Sequence, residues 1–209
     1  MAYHGYVPAC KKFLCSRESP NFLEVGVDRG VTFISLVAFL ARAREKSLAV
    51  GVDVFVQEQV EIMLAFVDRT MQQQAFLLEG NSLDVLPKLI EQGVTFDLLL
   101  LDGDHNYFTV SQELALVDKL LKPDGILIID DYNGRWGRQD LFYSEREGYE
   151  NNSFASKRVE TERHGVGSAV DDWLASAPSW TSAQFLSGEP IVIARDRAKL
   201  EAFRTHMKS

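Results

Sequence analysis

Apolar residues alternate along the first 130 positions between two patterns. Short, nearly unbroken runs occur at Phe22–Val25, Leu48–Val52, Ala75–Leu78, Phe96–Leu101 and Ile126–Ile129. Runs this short, without polar alternation, suit strands buried on both faces. Between them, apolar side chains recur at helical spacing. Val31, Ile34, Leu36, Val37 and Leu40 form one such set, and Val56, Val60, Met63, Leu64 and Val67 another within 56–70. Residues 83–92 form a third, despite a Pro87 that a helix tolerates only near its first turn, and Val110, Leu114, Val117 and Leu121 form a fourth. A short helix over 5–16, ended by Ser19-Pro20-Asn21, precedes the first strand. Lys122-Pro-Asp-Gly125 reads as a turn into the fifth. A βαβαβαβαβ order predicts a parallel sheet with right-handed crossovers.

The rhythm breaks over residues 133–164, which are polar, charged and aromatic (Arg135, Trp136, Arg138, Phe142, Tyr143, Arg146, Tyr149, Arg158). A long irregular stretch inside a domain of this size is commonly a functional cover or disordered, and its rings and arginines suit a planar or anionic small molecule. Val166, Ala169, Val170, Trp173, Leu174 and Ala177 then mark an amphipathic helix. Strands at about 181–186 and 190–194 follow, joined by Ser187-Gly188-Glu189, a link short enough for a hairpin. A polar helix over 197–205 closes the chain. The expected fold is α/β: a Rossmann-like, doubly wound seven-stranded sheet, mostly parallel with an antiparallel last strand, and helices on both faces. No linker or repeat divides it, so residues 1–209 read as a single domain.

The polar residues that end these strands carry the chemistry. In doubly wound sheets ligands sit at the carboxyl ends of the strands. The first strand ends in Glu24-Val-Gly26-Val-Asp28-Arg-Gly30, before a helix that starts at Val31-Thr32. A dinucleotide fingerprint would have glycine where Asp28 stands, and a carboxylate there repels a pyrophosphate. A mononucleotide P-loop needs Gly-Lys-Ser/Thr, which is missing. A sulfonium ligand, positive and free of phosphate, suits the acidic rim. Asp53, followed by Val54, ends the second strand where an acid commonly holds ribose hydroxyls. Glu79-Gly80-Asn81-Ser82 follows the third and offers small polar groups to an adenine edge.

Asp102-Gly-Asp104-His105 and Asp130-Asp131 end the fourth and fifth strands, which this topology makes neighbours. Four carboxylates so close raise one another's pKa, and a hard divalent cation such as Mg²⁺ relieves the conflict. The competing reading is that these acids only end strands, with Asp102 or Asp104 capping the helix that begins near Tyr107. His105 is a fourth ligand or a proton acceptor on the first reading, and an ordinary loop histidine on the second.

Charge and composition narrow the setting. The net charge of −8 argues against general affinity for nucleic acid or anionic membranes. No apolar run reaches the ~20 residues of a bilayer span, and the first residues show no signal-peptide pattern. Cys10 and Cys15 lack companions for a zinc set and read as reduced, packed thiols. A cytoplasmic protein acting on a small molecule is expected, with a homodimer left open.

With these motifs in register, the chain resembles class I S-adenosylmethionine (SAM)-dependent methyltransferases over about residues 20–195. Within them it is similar to metal-dependent small-molecule O-methyltransferases of the catechol, caffeoyl-coenzyme A and antibiotic-sugar types. The resemblance implies a methyl transfer to a small-molecule hydroxyl. It places Glu24, Gly26 and Thr32 along the methionine end of SAM and Asp53 at the ribose, with Asp28, Gly30 and Val54 also at the cofactor. Gly80, Asn81 and Ser82 would lie by adenine, and Asp102, also at the cofactor, would share a divalent metal with Asp130 and Asp131. Asp104 matches the base of the sugar group, and His105 stands where the catechol group carries a catalytic lysine. The resemblance also implies N-terminal closing helices that have no counterpart in the twenty residues before the first strand. The alternative is a cofactor-binding relative without metal-dependent catalysis, in a binding or interaction role. A nicotinamide oxidoreductase is a weaker third reading, opposed by Asp28.

Overall fold

A computed structural model describes residues 5–43, 46–67, 74–185 and 189–207. Its centre is β4 (Phe96–Leu101), buried along its whole length. It pairs in parallel with β1 (Asn21–Val25) on one side and β5 (Leu121–Ile129) on the other. β2 (Leu48–Asp53) and β3 (Ala75–Glu79) extend the β1 side in parallel. β7 (Ile191–Ala194) lies antiparallel between β5 and β6 (Thr181–Gln184). The order β3-β2-β1-β4-β5-β7-β6 is the expected seven-stranded sheet, with the last strand reversed. The residues expected to turn that hairpin, Ser187 and Gly188, lie outside the described residues.

Strand side chains alternate between faces, so each β4 neighbour feeds two cores. Phe22, Leu98, Leu100, Ile126 and Ile128 face one layer of helices: α1 (Val7–Cys15), α2 (Val31–Ala43), α3 (Glu58–Ala65) and the C-terminal α7 (Arg197–Met207). Leu23, Leu99, Leu101, Leu127 and Ile129 face the other, built by α4 (Ser82–Glu91), α5 (Tyr107–Leu120) and α6 (Val166–Ser176). Unbroken apolar strands are what a sheet covered on both faces requires.

Several expectations need correction. α3 is shorter than 56–70: it ends at Ala65, only Val60 of its apolar set is fully buried, and residues 68–70 lie outside the described residues. Leu121 does not close a helix but opens β5. Lys122–Gly125 runs extended in that strand, across a register shift against Phe96 and Leu98. Pro87 sits well inside α4 rather than at its first turn, at the cost of one backbone hydrogen bond. The cap of α5 is Asn106, whose side chain accepts from Thr109 N at 2.8 Å, so neither Asp102 nor Asp104 plays that part. Cys10 is buried and Cys15 partly so, and no disulfide joins them. Among the described residues no helix is long and apolar enough to cross a membrane.

Candidate active site

The ladder continues one residue past each parallel strand. Gly26 N donates to Val52 O at 2.8 Å, Asp102 N to Val25 O at 2.8 Å, Asp130 N to Leu101 O at 3.0 Å and Gly80 N to Asp53 O at 2.8 Å. Asp53, Gly26, Asp102 and Asp130 therefore stand side by side on one edge of the sheet. Gly26 is required at its place: with φ +89°, a Cβ would fall 2.1 Å from the Asp102 carbonyl oxygen. Asp28 and Asp131 also hold left-handed backbone, at φ 43° and 53°. Such strain in non-glycine residues collects at functional sites.

A cleft of about 370 Å³ opens over this edge. Its floor is Val25, Gly26, Asp53, Val54, Gly80, Ser82, Asp102 and Asp104. A second cavity of about 310 Å³ adjoins it, lined by Glu24, Thr32, Asp102 and His105. Gly26, Asp28, Arg29 and Tyr143 border both. Gly30 instead turns the chain, with φ +74° and the Val60 side chain 2.9 Å from where a Cβ would sit. Asp53 shapes the glycine turn: one carboxylate oxygen accepts from Val27 N and Asp28 N, both at 2.8 Å, and the other from Phe55 N at 3.0 Å. Asn81 caps α4 through Leu83 N at 2.9 Å, and its amide nitrogen donates to Phe154 O at 2.8 Å.

The acids gather as the strand order requires. The Asp102 and Asp130 carboxyls hydrogen-bond to each other. Burial first, then the charges of Asp130, Glu24 and Asp131, push Asp102 well above the usual carboxylate range. Burial pushes Glu24 up as well, with Asp53 adding to it, and Glu24 Oε2 is buried without a partner. Asp131 Oδ2 lies 3.5 Å from His105 Nδ1, and burial lowers the His105 pKa. Oxygen-only carboxylate donors fit a hard cation chemically. Geometrically they form a hydrogen-bonded pair: among the described residues no three His, Cys, Asp or Glu side chains are arranged to hold a metal.

Asp104 lies beside this pair. Burial pushes its pKa up to about 6, against hydrogen bonds from Ser156 and Thr109 that pull it down. Behind it, Glu113 of α5 is fully buried and pushed up to about 8 by that burial, with Ser82 pulling it down. Glu113 Oε1 has no hydrogen-bond partner.

Sequence reasoning marked the segment that forms the roof but named none of its residues for the site. Tyr143, Arg146, Glu147 and Tyr149, from the irregular segment, line the cleft opposite the glycine turn. Leu141 N donates to His105 O at 2.9 Å, Asn152 Nδ2 to Val54 O at 2.8 Å and Ser156 Oγ to Asp104 Oδ1 at 2.6 Å. The segment is thus fastened to the loops after β2, β3 and β4. Only its aromatic and arginine content hinted at this. Tyr6 was missed too. It is buried at the start of α1, and its phenol is raised by burial and by the charges of Asp102, Asp130 and Glu24.

An open α/β sheet of this order, with a glycine turn and an acidic edge beneath one cleft, is the architecture of class I methyltransferases. The methyltransferase-domain family Methyltransf_24 matches residues 23–132, more than half of the chain, and the protein belongs to it. No curated protein sequence matches the chain. Solved structures share the fold at low identity. The O-methyltransferase TomG from Streptomyces achromogenes, in complex with SAM, is 16% identical with a TM-score of 0.56, over 92% of this chain and 79% of that one. An O-methyltransferase from Bacillus cereus in complex with SAH is 15% identical with a TM-score of 0.57, over 92% and 80%. CalS11, a TDP-rhamnose 3′-O-methyltransferase of calicheamicin biosynthesis, is 14% identical with a TM-score of 0.60, over 88% and 76%.

Proposed function

We propose that this protein transfers the methyl group of SAM to a hydroxyl of a small molecule, with Asp104 as the base. The observation that carries the reading is one cleft holding the Gly26 turn, Asp53 and Asp104 together. SAM supplies an electrophilic methyl group on a positive sulfur, which the acidic edge attracts. Glu24 Oε2 and Thr32 Oγ1, buried and unpartnered beside the second cavity, suit the polar atoms of its methionine end. Asp53 Oδ1 accepts a single bond, from Phe55 N, and keeps capacity for a ribose hydroxyl. Val54, Gly80 and Ser82 border the nucleoside side.

Asp104 does the proton work. A carboxyl tuned to about 6 is ionised at neutral pH, yet is basic enough to take a proton as the acceptor oxygen gains the methyl group. His105 is held against Asp131 and stands second in line. The aromatic roof limits water around the reacting oxygen. A divalent cation would be held by Asp102, Asp130 and Asp131, and would supply positive charge that favours an ionised hydroxyl. The hydrogen-bonded Asp102–Asp130 pair favours the metal-free alternative, in which Asp104 suffices.

Turnover of the purified enzyme on a panel of hydroxylated acceptors tests each part. Asp104→Asn should lower kcat by about 10²-fold or more while SAH still binds; full turnover would remove Asp104 from the chemistry. Asp130→Ala and chelation with EDTA should both suppress turnover if a cation takes part. Activity indifferent to both would leave the methyl transfer standing and remove the metal.

A further inference from the structure

The roof of the cleft is built as a row. Tyr143–Glu145 is a single 3-10 turn, and the next two turns repeat its spacing. Arg146 N donates to Tyr143 O at 2.9 Å and Tyr149 N to Arg146 O at 3.0 Å. Tyr143, Arg146 and Tyr149 all line the cleft. The tyrosine rings lie 5.2 Å apart, and the Arg146 guanidinium stands 5.9 Å from the Tyr143 ring.

Among the arginines of the irregular segment, Arg146 alone lines the cleft and has no anion among the described residues; Arg29, the cleft's other arginine, also makes no ion pair there but stands on the glycine turn. Arg138 pairs with Asp171, Arg158 with Glu145 and Arg163 with Asp172. Arg135 stacks on Trp136. Glu145, the acid next to Arg146, is taken by both ends of the Arg158 guanidinium, at 2.8 and 2.9 Å. Glu147 also rims the cleft without pairing to Arg146. Among the described residues Arg146 makes no ion pair. Its charge is felt at His105, Tyr143 and Tyr149. A planar guanidinium beside the Tyr143 ring suits a flat ligand that carries an oxyanion.

We propose that Arg146 binds an oxyanion of the methyl acceptor, so that the acceptor is a planar molecule bearing a carboxylate or phosphate rather than a neutral one. This rests on the methyl-transfer reading above. The other oxyanion that could reach Arg146 is the carboxylate of the cofactor's own methionine end.

The test is calorimetric titration of the full chain, first with SAH and then, as the SAH complex, with three probes: 4-hydroxybenzoate, phenyl phosphate and neutral 4-hydroxybenzamide. At least one of the two anions should bind about tenfold or more tightly than the amide, and Arg146→Gln should erase that advantage while leaving SAH affinity unchanged. The anion that binds more tightly identifies the acceptor's group. Arg146→Lys, which keeps the charge without the fork, should fall between. Equal binding of all three, binding of none, or a preference that survives Arg146→Gln would overturn the proposal. So would a loss of SAH affinity in Arg146→Gln, which would assign the guanidinium to the cofactor. Failure of the wild-type chain to bind SAH would instead overturn the methyl-transfer reading beneath it. Arg146 is exposed, so the variant is expected to fold; its melting curve checks this.

Discussion

Glu113 shows how a single buried acid ties stability to pH. Its carboxyl, 1% exposed, titrates at about 8 in the folded protein against 4.5 for a free side chain. A folded-state pKa above the unfolded one means that the native form holds the proton longer. The contribution of Glu113 to stability is therefore full below about 4.5, declines as pH rises, and levels off above about 8. Asp104, pushed up to about 6, adds in the same direction. Melting temperature should fall from pH 5 to pH 8. Glu113→Gln, which cannot ionise, should flatten that fall and melt several degrees higher at pH 8; an unchanged slope would show that Glu113 is not the group responsible.

At this scale the sequence was partly readable. Asp53, Asp102 and Asp130 directly follow apolar runs, with Asp104 and Asp131 within two residues of the latter two, so topology alone brings these acids together. Ser156 gave no signal, because its hydrogen bond to Asp104 spans 52 residues of chain and depends on how the irregular segment folds back. Glu113 and Thr109 read as the polar side of a helix, yet both are buried. Nothing in helical spacing says that a polar stripe faces inward.

Among the elements, the strands and most helices were legible because burial on both faces imposes unbroken apolar runs and helical periodicity. The end of α3 and the start of β5 were not, since apolar spacing there fits either structure. The cover showed in the sequence only as a break in the pattern, and how it is fastened did not show, because its cohesion comes largely from side-chain to backbone bonds. Asn81 joins the two kinds of element, as it caps α4 with its oxygen and holds the cover at Phe154 with its nitrogen. Asn81→Asp keeps the capping oxygen and removes the donor. Urea denaturation should show stability within about 0.5 kcal/mol of wild type, while SAH binding weakens severalfold as the cover loosens. Asn81→Ala should lose the cap as well, at about 1 kcal/mol. Equal SAH affinity in all three proteins would mean that the Phe154 contact does not hold the cover.

Across the whole molecule, the two ends of β4 do different work. Asp102 follows its carboxyl end in the cleft. Near its other end Asp97, 3% exposed, accepts from Lys122 Nζ at 2.7 Å and Asn21 N at 2.8 Å, with Arg17 Nε 3.5 Å away. Asp97→Ala leaves these groups around an empty site and should cost about 3 kcal/mol or more in urea denaturation. SAH affinity of the folded fraction should stay as it was. A matching loss of affinity would show that the two ends are coupled.

The family match stops at Tyr132, one residue before the roof begins. The family match covers the half of the cleft built on the sheet edge; the roof lies beyond it. That wall hangs from the sheet by a few fasteners and contributes no strand to it, so it can be rewritten without disturbing the sheet. Selectivity would then be something to transplant: grafting another chain's stretch between Tyr132 and Val166 is the natural route to a new recipient with the old donor.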